Sequence, residues 1–253
     1  MAVLKKAAQI KKQDGKKRAK DKNYTISGTK YDGIKLFDNM FESNEDSYFD
    51  IFKNLNNKII VNFDQVYIDD INYLNDFKTV ILFKNNKINN LVLDSKYSNA
   101  KELKLTIKTT KNREKITTVF SSYPKPIVKK YKFIKGFENG ILDFQSIKKN
   151  NKSKSILKID NFKIKEVPAL AKLLSLASLQ GIADTLTGEG IRFTDFEMIF
   201  SNEGELIKIE EIYAIGPAIS ILMDGYIEKN NLISLRGTLV PARTINRTIS
   251  SIP

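Results

Sequence analysis

The feature that most constrains this chain is an alternation of apolar and polar residues with a period of two. It is cleanest at residues 103–108, which read LKLTIK. Similar runs recur about every 10–14 residues from Lys58 onward, separated by turn signals such as Asn85-Asn86 and Asn150-Asn151. Because successive side chains of a β-strand point to opposite faces, each run predicts a half-buried strand. The connections are too short for crossover helices, so the pattern predicts an antiparallel meander.

The predicted strands after Gly190 place their apolar residues at alternate positions. The candidates for a shared apolar face are Phe193, Ile207, Ile209, Ile219, Ile221, Met223, Ile233, Leu235 and Leu239. Two architectures fit such a face. One is a β-sandwich whose apolar faces pack together, which the pattern alone favours. The other is a strongly curved, open sheet whose apolar face needs a lipid or a protein partner.

A nearly uncharged stretch, residues 166–193, interrupts the strands and predicts a short helix. Pro168 fits the first helical turn, where its missing N–H would be unbonded anyway. The helix would carry an apolar stripe formed by Leu170, Leu173, Leu174, Ala177 and Ile182. A helix that is apolar nearly all round must be buried or lie on an apolar surface. Weaker patterns predict short helices near Ile34–Phe41 and Pro124–Ile134, giving two or three short capping helices in all.

Composition argues against enzymatic chemistry. The chain has no histidine and no cysteine, which removes the usual general base, the commonest metal ligand and any thiolate. Two acidic pairs, Asp195 with Glu197 and Glu210 with Glu211, could form a carboxylate site, but acids on a lysine-rich surface are usually solvated. We therefore predict a protein that is not an enzyme and that uses no metal and no cofactor.

The net charge of +13 allows an anionic partner, either nucleic acid or a phospholipid surface. The densest basic segment, residues 1–23, is interpreted as a disordered or linker segment. Residues 24–253 are interpreted as one β region. For nucleic-acid binding, Tyr131 and Phe133 interleave with lysines only locally, so no specific nucleic-acid partner is predicted. No apolar segment has the length of a secretory signal core or of a membrane-spanning helix.

Four motifs resemble the C-terminal part of one bacterial protein family. They are a P-x-L-A-x-L-L-S helix at Pro168–Ser175, a G-E-G-I-x-F strand start at Gly188–Phe193, a hairpin opened by Gly-Pro at Gly216–Ile227, and L-x-G-T-x-V-P at Leu235–Pro241. Together they resemble the AsmA-like family, and most closely its YhdP branch. The likeness extends over about residues 24–253 and is strong only after about Gly136.

This resemblance implies a β-groove with a taco-like section and a role in the bacterial envelope. Full-length relatives are anchored in the inner membrane, extend through the periplasm, and are implicated in phospholipid transport to the outer membrane and in envelope integrity. The resemblance also implies that the chain is a fragment, incomplete at both ends. The expected partners are phospholipid acyl chains and envelope proteins, and the oligomeric state stays open.

The sequence thus predicts a non-enzymatic, periplasmic protein that shields acyl chains along an apolar trough. The nine alternating residues would line the trough, and the helix of residues 170–182 would flank it or cap a sheet edge. The alternatives are a β-sandwich scaffold that binds other envelope proteins and a basic nucleic-acid-binding module.

Overall fold

The computed structural model of the protein describes residues 9–13, 23–35, 56–85, 87–129, 135–166, 190–204, 206–228 and 232–241. The chain divides into two compact units, unit 1 (Met1–Ser121) and unit 2 (Ser122–Pro253). The sequence analysis expected one continuous region after residue 23. The division falls next to Pro124 and Pro126, which interrupt the strand pattern.

Unit 1 is a sheet in which the strands are arranged in chain order. Its strands are β1 (Gln9–Gln13), β2 (Asn23–Asp32), β3 (Lys58–Tyr67), β4 (Tyr73–Lys84), β5 (Lys87–Tyr97), β6 (Glu102–Thr109) and β7 (Lys115–Ser121). Strand β1 lies inside the basic segment that was expected to be a linker, and it pairs antiparallel with β2.

One pair in unit 1 departs from the predicted antiparallel meander. Strands β2 and β3 are parallel, with Tyr24 opposite Ile59 and Ile26 opposite Val61. Alternation identifies which residues share a face but carries no information about strand direction, so the sequence could not predict this pair. Of the helix predicted at Ile34–Phe41, only residues 34 and 35 are described, and they are helical.

The buried side chains of unit 1 lie on one face of its sheet, called here the unit 1 apolar face. They are Ile59, Phe63, Val66, Leu74, Phe77, Phe83, Leu91, Leu93, Tyr97, Leu103 and Leu105. The phase of the alternation shifts between Phe63 and Val66. The register of β4 against β5 shifts beside Asp76, which has a positive φ of 51°. A bulge of this kind adds a residue and returns the following side chain to the same face.

Asn89 and Asn90, a pair like the turn signals Asn85-Asn86 and Asn150-Asn151, lie inside β5. The register of β5 against β4 shifts here, so this pair marks a second irregularity rather than the end of a strand. The tight connection is at Asn85, which has a positive φ of 51°. Asparagine tolerates this conformation better than most residues, and it serves turns and irregular strand positions alike.

The strands of unit 2 also follow chain order, and all its described strand pairs are antiparallel. It contains a short helix α1 (Lys125–Val128) and the strands β8 (Lys135–Lys149), β9 (Lys152–Glu166), β10 (Ile191–Glu203), β11 (Leu206–Ile215), β12 (Ile219–Glu228) and β13 (Ile233–Pro241). Pro124, before the helix, and Pro126, in its first turn, favour helix initiation. Gly225 lies inside β12.

The prediction of a mostly β fold built on a long, curved antiparallel sheet is confirmed, with the β2–β3 pair as its exception. Among the described strands, β1 does not pair with β7 and β8 does not pair with β13, so the strands of neither unit close into a ring. Helix α1 confirms the described part of the helix predicted at Pro124–Ile134. The helix predicted from Leu170, Leu173, Leu174, Ala177 and Ile182 lies outside the described residues.

Candidate functional site: an apolar face of unit 2

The nine residues selected from the sequence all lie on one face of unit 2. Directly opposed residues of neighbouring strands share a face. Ile207 lies opposite Ile227, and Ile227 lies opposite Ile233. The other opposed sets that contain candidates are Phe193 with Phe162, Ile209 with Gly225 and Leu235, Ile221 with Ala214 and Leu239, Met223 with Ile212 and Gly237, and Ile219 with Pro241. We call this surface the unit 2 apolar face.

Sequence reasoning missed the part of the face on β8 and β9, because it considered only strands after Gly190, and it selected only some of the apolar residues on β10 to β12. Register adds apolar residues from β8 to β12, which are Leu142, Phe144, Leu157, Ile159, Phe162, Ile164, Ile191, Phe196, Met198, Phe200, Ile212, Ala214 and Ile227. The sequence did contain a signal for this part of the face, since apolar and polar residues alternate with a period of two in both β8 and β9. The phase change between Ile209 and Ile212, where the register shifts, hid the continuation in β11.

Aromatic rings pack against one another across β8, β9 and β10. The ring of Phe162 stacks on Phe137 with centroids 5.4 Å apart, on Phe193 at 5.3 Å, and meets Phe196 edge-on at 6.0 Å. Rings at such separations attract each other beyond the effect of area burial. The β8–β10 part of the unit 2 apolar face is therefore a packed aromatic cluster.

Exposure on this face increases toward β13. Phe137, Phe162, Ile191 and Phe193 are buried. On the following strands Ile209, Ala214 and Ile219 are also buried, whereas the other apolar residues of the face are half-buried; these are Ile207, Ile212, Ile221, Met223 and Ile227. At the last strand Ile233 is 50% exposed and Leu235 is 42% exposed. A packed sandwich core would bury such side chains, so the β12–β13 part of the face meets solvent.

The apolar face ends in polar side chains beside the β8–β9 turn. Ser155 donates a hydrogen bond to Ser146, with 2.9 Å between the two Oγ atoms. Two residues further along the same face, Lys148 of β8 lies opposite Ser153 of β9, which lies opposite Asn202 of β10. The face is therefore apolar along most of its length and becomes polar at one corner.

The opposite face of unit 2 carries ion pairs that link neighbouring strands. Lys158 Nζ lies 2.6 Å from Glu197 Oε2, and Lys154 Nζ lies 2.9 Å from Glu210 Oε2. The hydrogen bond from Lys158 to Glu197 raises the pKa of the lysine above its ordinary value, and the attraction between the two charges adds to this. Two of the four acids considered for a carboxylate site are thus paired with lysines, as expected of a solvated surface.

Three further features bear on function. In the part of the chain that the structure describes, no group of three or more acidic side chains is arranged to hold a metal ion. Within the same ranges, no helix is long and apolar enough to cross a membrane. Tyr131 and Phe133, the aromatics considered for nucleic-acid binding, lie outside the described residues.

Comparisons with protein-family models, with curated proteins and with solved structures give no match to this chain.

Proposed function

We propose that this protein binds lipid acyl chains along the unit 2 apolar face and acts without catalysing a reaction. The setting that fits this activity is the periplasm of a bacterial envelope, where phospholipid must move between the inner and outer membranes. The family resemblance of residues 168–241 points the same way. In this proposal the protein shields the chains from water while they pass along the face.

The observation that carries the proposal is the exposure of apolar side chains on β12 and β13. Ile233 and Leu235 are exposed, and Ile221, Met223 and Leu239 are half-buried on the same face. Contiguous exposed apolar surface is unusual in a soluble protein and marks a binding site. The opposite face of unit 2 carries the ion pairs and can remain in water, which supports the same function.

The energetics require no chemical step. An acyl chain that leaves a bilayer for water loses about 0.8 kcal/mol for each CH₂ group exposed. Contact with the apolar face would restore most of this free energy. The polar corner around Ser146 and Lys148 can remain hydrated beside a head group.

The test is mass spectrometry of organic extracts from the protein, purified after export to a bacterial periplasm. We expect phospholipid in near-stoichiometric amount. The variant Ile221→Asp/Leu235→Asp places two charges on the apolar face and should lose most of this lipid. The control, Leu222→Asp/Ser234→Asp, places the same charges on the opposite face of the same two strands, as the register shows, and should keep the lipid. Circular dichroism would establish that both variants fold.

Two results would overturn the proposal. One is a folded protein that carries no lipid. The other is equal loss of lipid from both double variants, because the binding would then not depend on the face. If polyanion binding instead falls steeply with added salt, the nucleic-acid alternative gains support.

A second candidate function, a scaffold for envelope proteins, is favoured by one observation. Tyr213 and Leu222 lie opposite each other on the ion-paired face, and Leu222 is 49% exposed. Tyrosine is enriched at protein interfaces, where its ring is buried and its hydroxyl stays hydrogen-bonded. Cross-linking at these two positions in cells would identify a protein partner, and failure to cross-link any protein would count against the scaffold.

A further inference from the structure

The polar corner of unit 2 consists of Ser146, Lys148, Ser153, Ser155 and Asn202. Its polarity decreases in steps of two residues along β8 and β9. Beside the turn, Lys148 lies opposite Ser153. The next pair on the same face is Ser146 with Ser155, and Phe144 of β8 follows. Successive pairs on one face of a sheet lie about 7 Å apart along the strands. The face thus presents a charge, then hydroxyl groups, then hydrocarbon, in that order.

The charge at this corner is distinctive. Of the residues on the unit 2 apolar face whose side chains the structure describes, Lys148 alone is charged. Its neighbours across the strands, Ser153 and Asn202, have neutral side chains that can donate hydrogen bonds. All three residues are half-buried. A lysine grouped with neutral donors is a set that suits the oxygens of a phosphate group.

The opposite face has a different composition at the same end of the sheet. There, Lys152 Nζ lies 3.0 Å from Glu203 Oε1, and Lys154 pairs with Glu210. Each of these lysines therefore has an acidic side chain beside it, as expected of a solvated surface. The polar corner instead combines a lysine with serine and asparagine, which matches an anionic ligand.

The hydroxyl groups of the corner can recognise a second part of a ligand. Ser155 is buried and donates its hydrogen bond to Ser146, with 2.9 Å between the Oγ atoms. Ser146 is half-buried and accepts this bond, so its own O–H can be donated to a further acceptor. Nearby on the same face, the rings of Phe144 and Phe200 stack with centroids 6.5 Å apart. A carbonyl group attached to hydrocarbon would meet both a donor and apolar rings here.

We propose that the polar corner binds the phosphate of a diacyl glycerophospholipid and so fixes the direction in which the lipid lies on the face. Lys148, Ser153 and Asn202 hold the phosphate, and Ser146 donates to an ester carbonyl. The acyl chains then extend along β8 to β10 toward the aromatic cluster around Phe162. This inference rests on the proposed function, to which it adds the head group and the orientation.

The order of the three steps favours a phospholipid over a free fatty acid. In a glycerophospholipid, ester groups lie between the phosphate and the acyl chains, which is the order of Lys148, Ser146 and Phe144 along β8. A fatty acid carries its carboxylate directly on the chain. It would satisfy the lysine but would leave the hydroxyl step without a matching group.

The test is NMR of the whole protein with spin-labelled phospholipid, because a nitroxide broadens only the signals of nearby amides. A nitroxide on the head group should broaden Lys148 and Ser153 most. A nitroxide at the end of an acyl chain should broaden Phe162 and Phe193 most. The two patterns together give the orientation of the lipid, and they require no substitution that could impair folding.

Substitutions then separate the two recognition steps. Dissociation constants would be measured by displacement of the chain-labelled lipid, with the phospholipid and with a diacylglycerol of the same acyl chains. Lys148→Gln should weaken binding of the phospholipid about three- to tenfold and leave the diacylglycerol unchanged, because the latter has no phosphate. Ser146→Ala should weaken both ligands about two- to tenfold, because both have ester carbonyls.

Lys149→Gln is the matched control for the charge. Lys149 is the next residue in β8 and, by alternation, lies on the opposite face, where its register partner is Lys152. The substitution removes the same charge at the same end of the sheet and should leave the binding of both ligands unchanged.

The possible failures are distinguishable from one another. If lipid binds with its head group nearest β13, or if Lys148→Gln and Lys149→Gln have equal effects, the inference is wrong and the proposed function stands. Equal weakening of phospholipid and diacylglycerol by Lys148→Gln would also overturn the inference alone. If inorganic phosphate shifts the signals of the corner but no lipid broadens any signal of the face, the corner is a site for free anions, and the inference and the proposed function both fail.

Discussion

Most apolar side chains on the unit 1 apolar face are buried in β3 to β6, whereas on the unit 2 apolar face those of β12 and β13 are half-buried or exposed, apart from the buried Ile219. The alternation that generates the two faces is equally regular in both regions. Leu103 and Leu105 are buried, while Ile233 and Leu235, with the same spacing, are not. Alternation therefore determines which side chains share a face, but not whether anything covers that face.

The two regions also differ in how polar groups are used. In unit 1 the hydroxyl groups of Tyr97 and Ser121, both buried, lie 3.0 Å apart and share a hydrogen bond across the sheet. In unit 2 the buried Ser155 lies at the polar corner of the apolar face, bonded to Ser146. Buried polar groups with partners stabilise one arrangement of a core. The hydroxyl pair of unit 1 therefore belongs to a structural core, whereas the two serines of unit 2 lie at the border of the unit 2 apolar face.

The largest loss of stability is expected from a substitution of Leu74 in unit 1, whose side chain is 0% exposed. Leu74→Ala would leave a cavity among Val66 and Tyr97, its neighbours on β3 and β5. We expect the free energy of unfolding of unit 1 to fall by about 2–5 kcal/mol, measured by urea unfolding followed by circular dichroism. A loss below about 1 kcal/mol would show that the unit 1 apolar face is not a packed core.

The next largest effect is expected from Tyr97→Phe, which removes one partner of the buried hydroxyl pair. Ser121 would lose this hydrogen bond, and the free energy of unfolding should fall by about 0.5–1.5 kcal/mol. The control is Tyr31→Phe, because Tyr31 is exposed and should be nearly neutral. Equal losses from the two changes, measured by thermal unfolding, would argue against a special role for the pair.

A substitution of Ile233 in unit 2 is expected to cause only a small loss of stability. Ile233→Ala removes a side chain that still meets water in the folded protein, so the loss in stability should stay below about 1 kcal/mol. The same change should weaken lipid binding, because it removes apolar area from the proposed binding face. A stability loss as large as that of Leu74→Ala would mean that this part of unit 2 is covered, and the comparison between the units would fail.

The smallest effect is expected at the ion pair between Lys165 and Glu138, whose Nζ and Oε1 atoms are 2.8 Å apart. The hydrogen bond from Lys165 holds the pKa of Glu138 below its ordinary value of 4.5, against a smaller opposing effect of burial. Because the folded-state pKa is the lower one, the pair stabilises the fold above pH 4.5. This contribution is lost as the pH falls through the lowered pKa.

Lys165→Met should return the pKa of Glu138 toward its ordinary value, measured by NMR of the side-chain carboxyl group. Lys163→Met is the matched control. Lys163 lies directly opposite Glu138 in the register, yet it contributes least to the lowered pKa. A larger change from Lys163→Met than from Lys165→Met would contradict the assigned hydrogen bond.

The sequence predicted the shared face of unit 2 but not its extent. Ile219, Ile221 and Met223 alternate without interruption in β12, so period-two reasoning placed them correctly. Phe200 and Ile209 share the face only because the register shifts between Ile199 and Phe200. Such shifts arise from backbone conformations that alternation does not encode.

Other features depend on contacts between distant segments. The parallel pairing of β2 with β3 is set by which strand edges meet, and the hydrophobic pattern of each strand is the same for either direction. The strand Gln9–Gln13 contains two lysines among its five residues, a composition that predicted a linker. Its pairing with β2 outweighs this local preference.

The sequential order of the strands has a consequence for how the protein assembles. In unit 2, each strand pairs with the strands that precede and follow it in the chain. A sheet built this way behaves as a one-dimensional array, in which stability is a sum of terms between neighbours. It can nucleate at any hairpin and grow one strand at a time, without first closing a long loop between distant strands. Opening can likewise begin at β13 and stop within the sheet, so the region that presents its apolar side chains to solvent is also one from which the sheet can open.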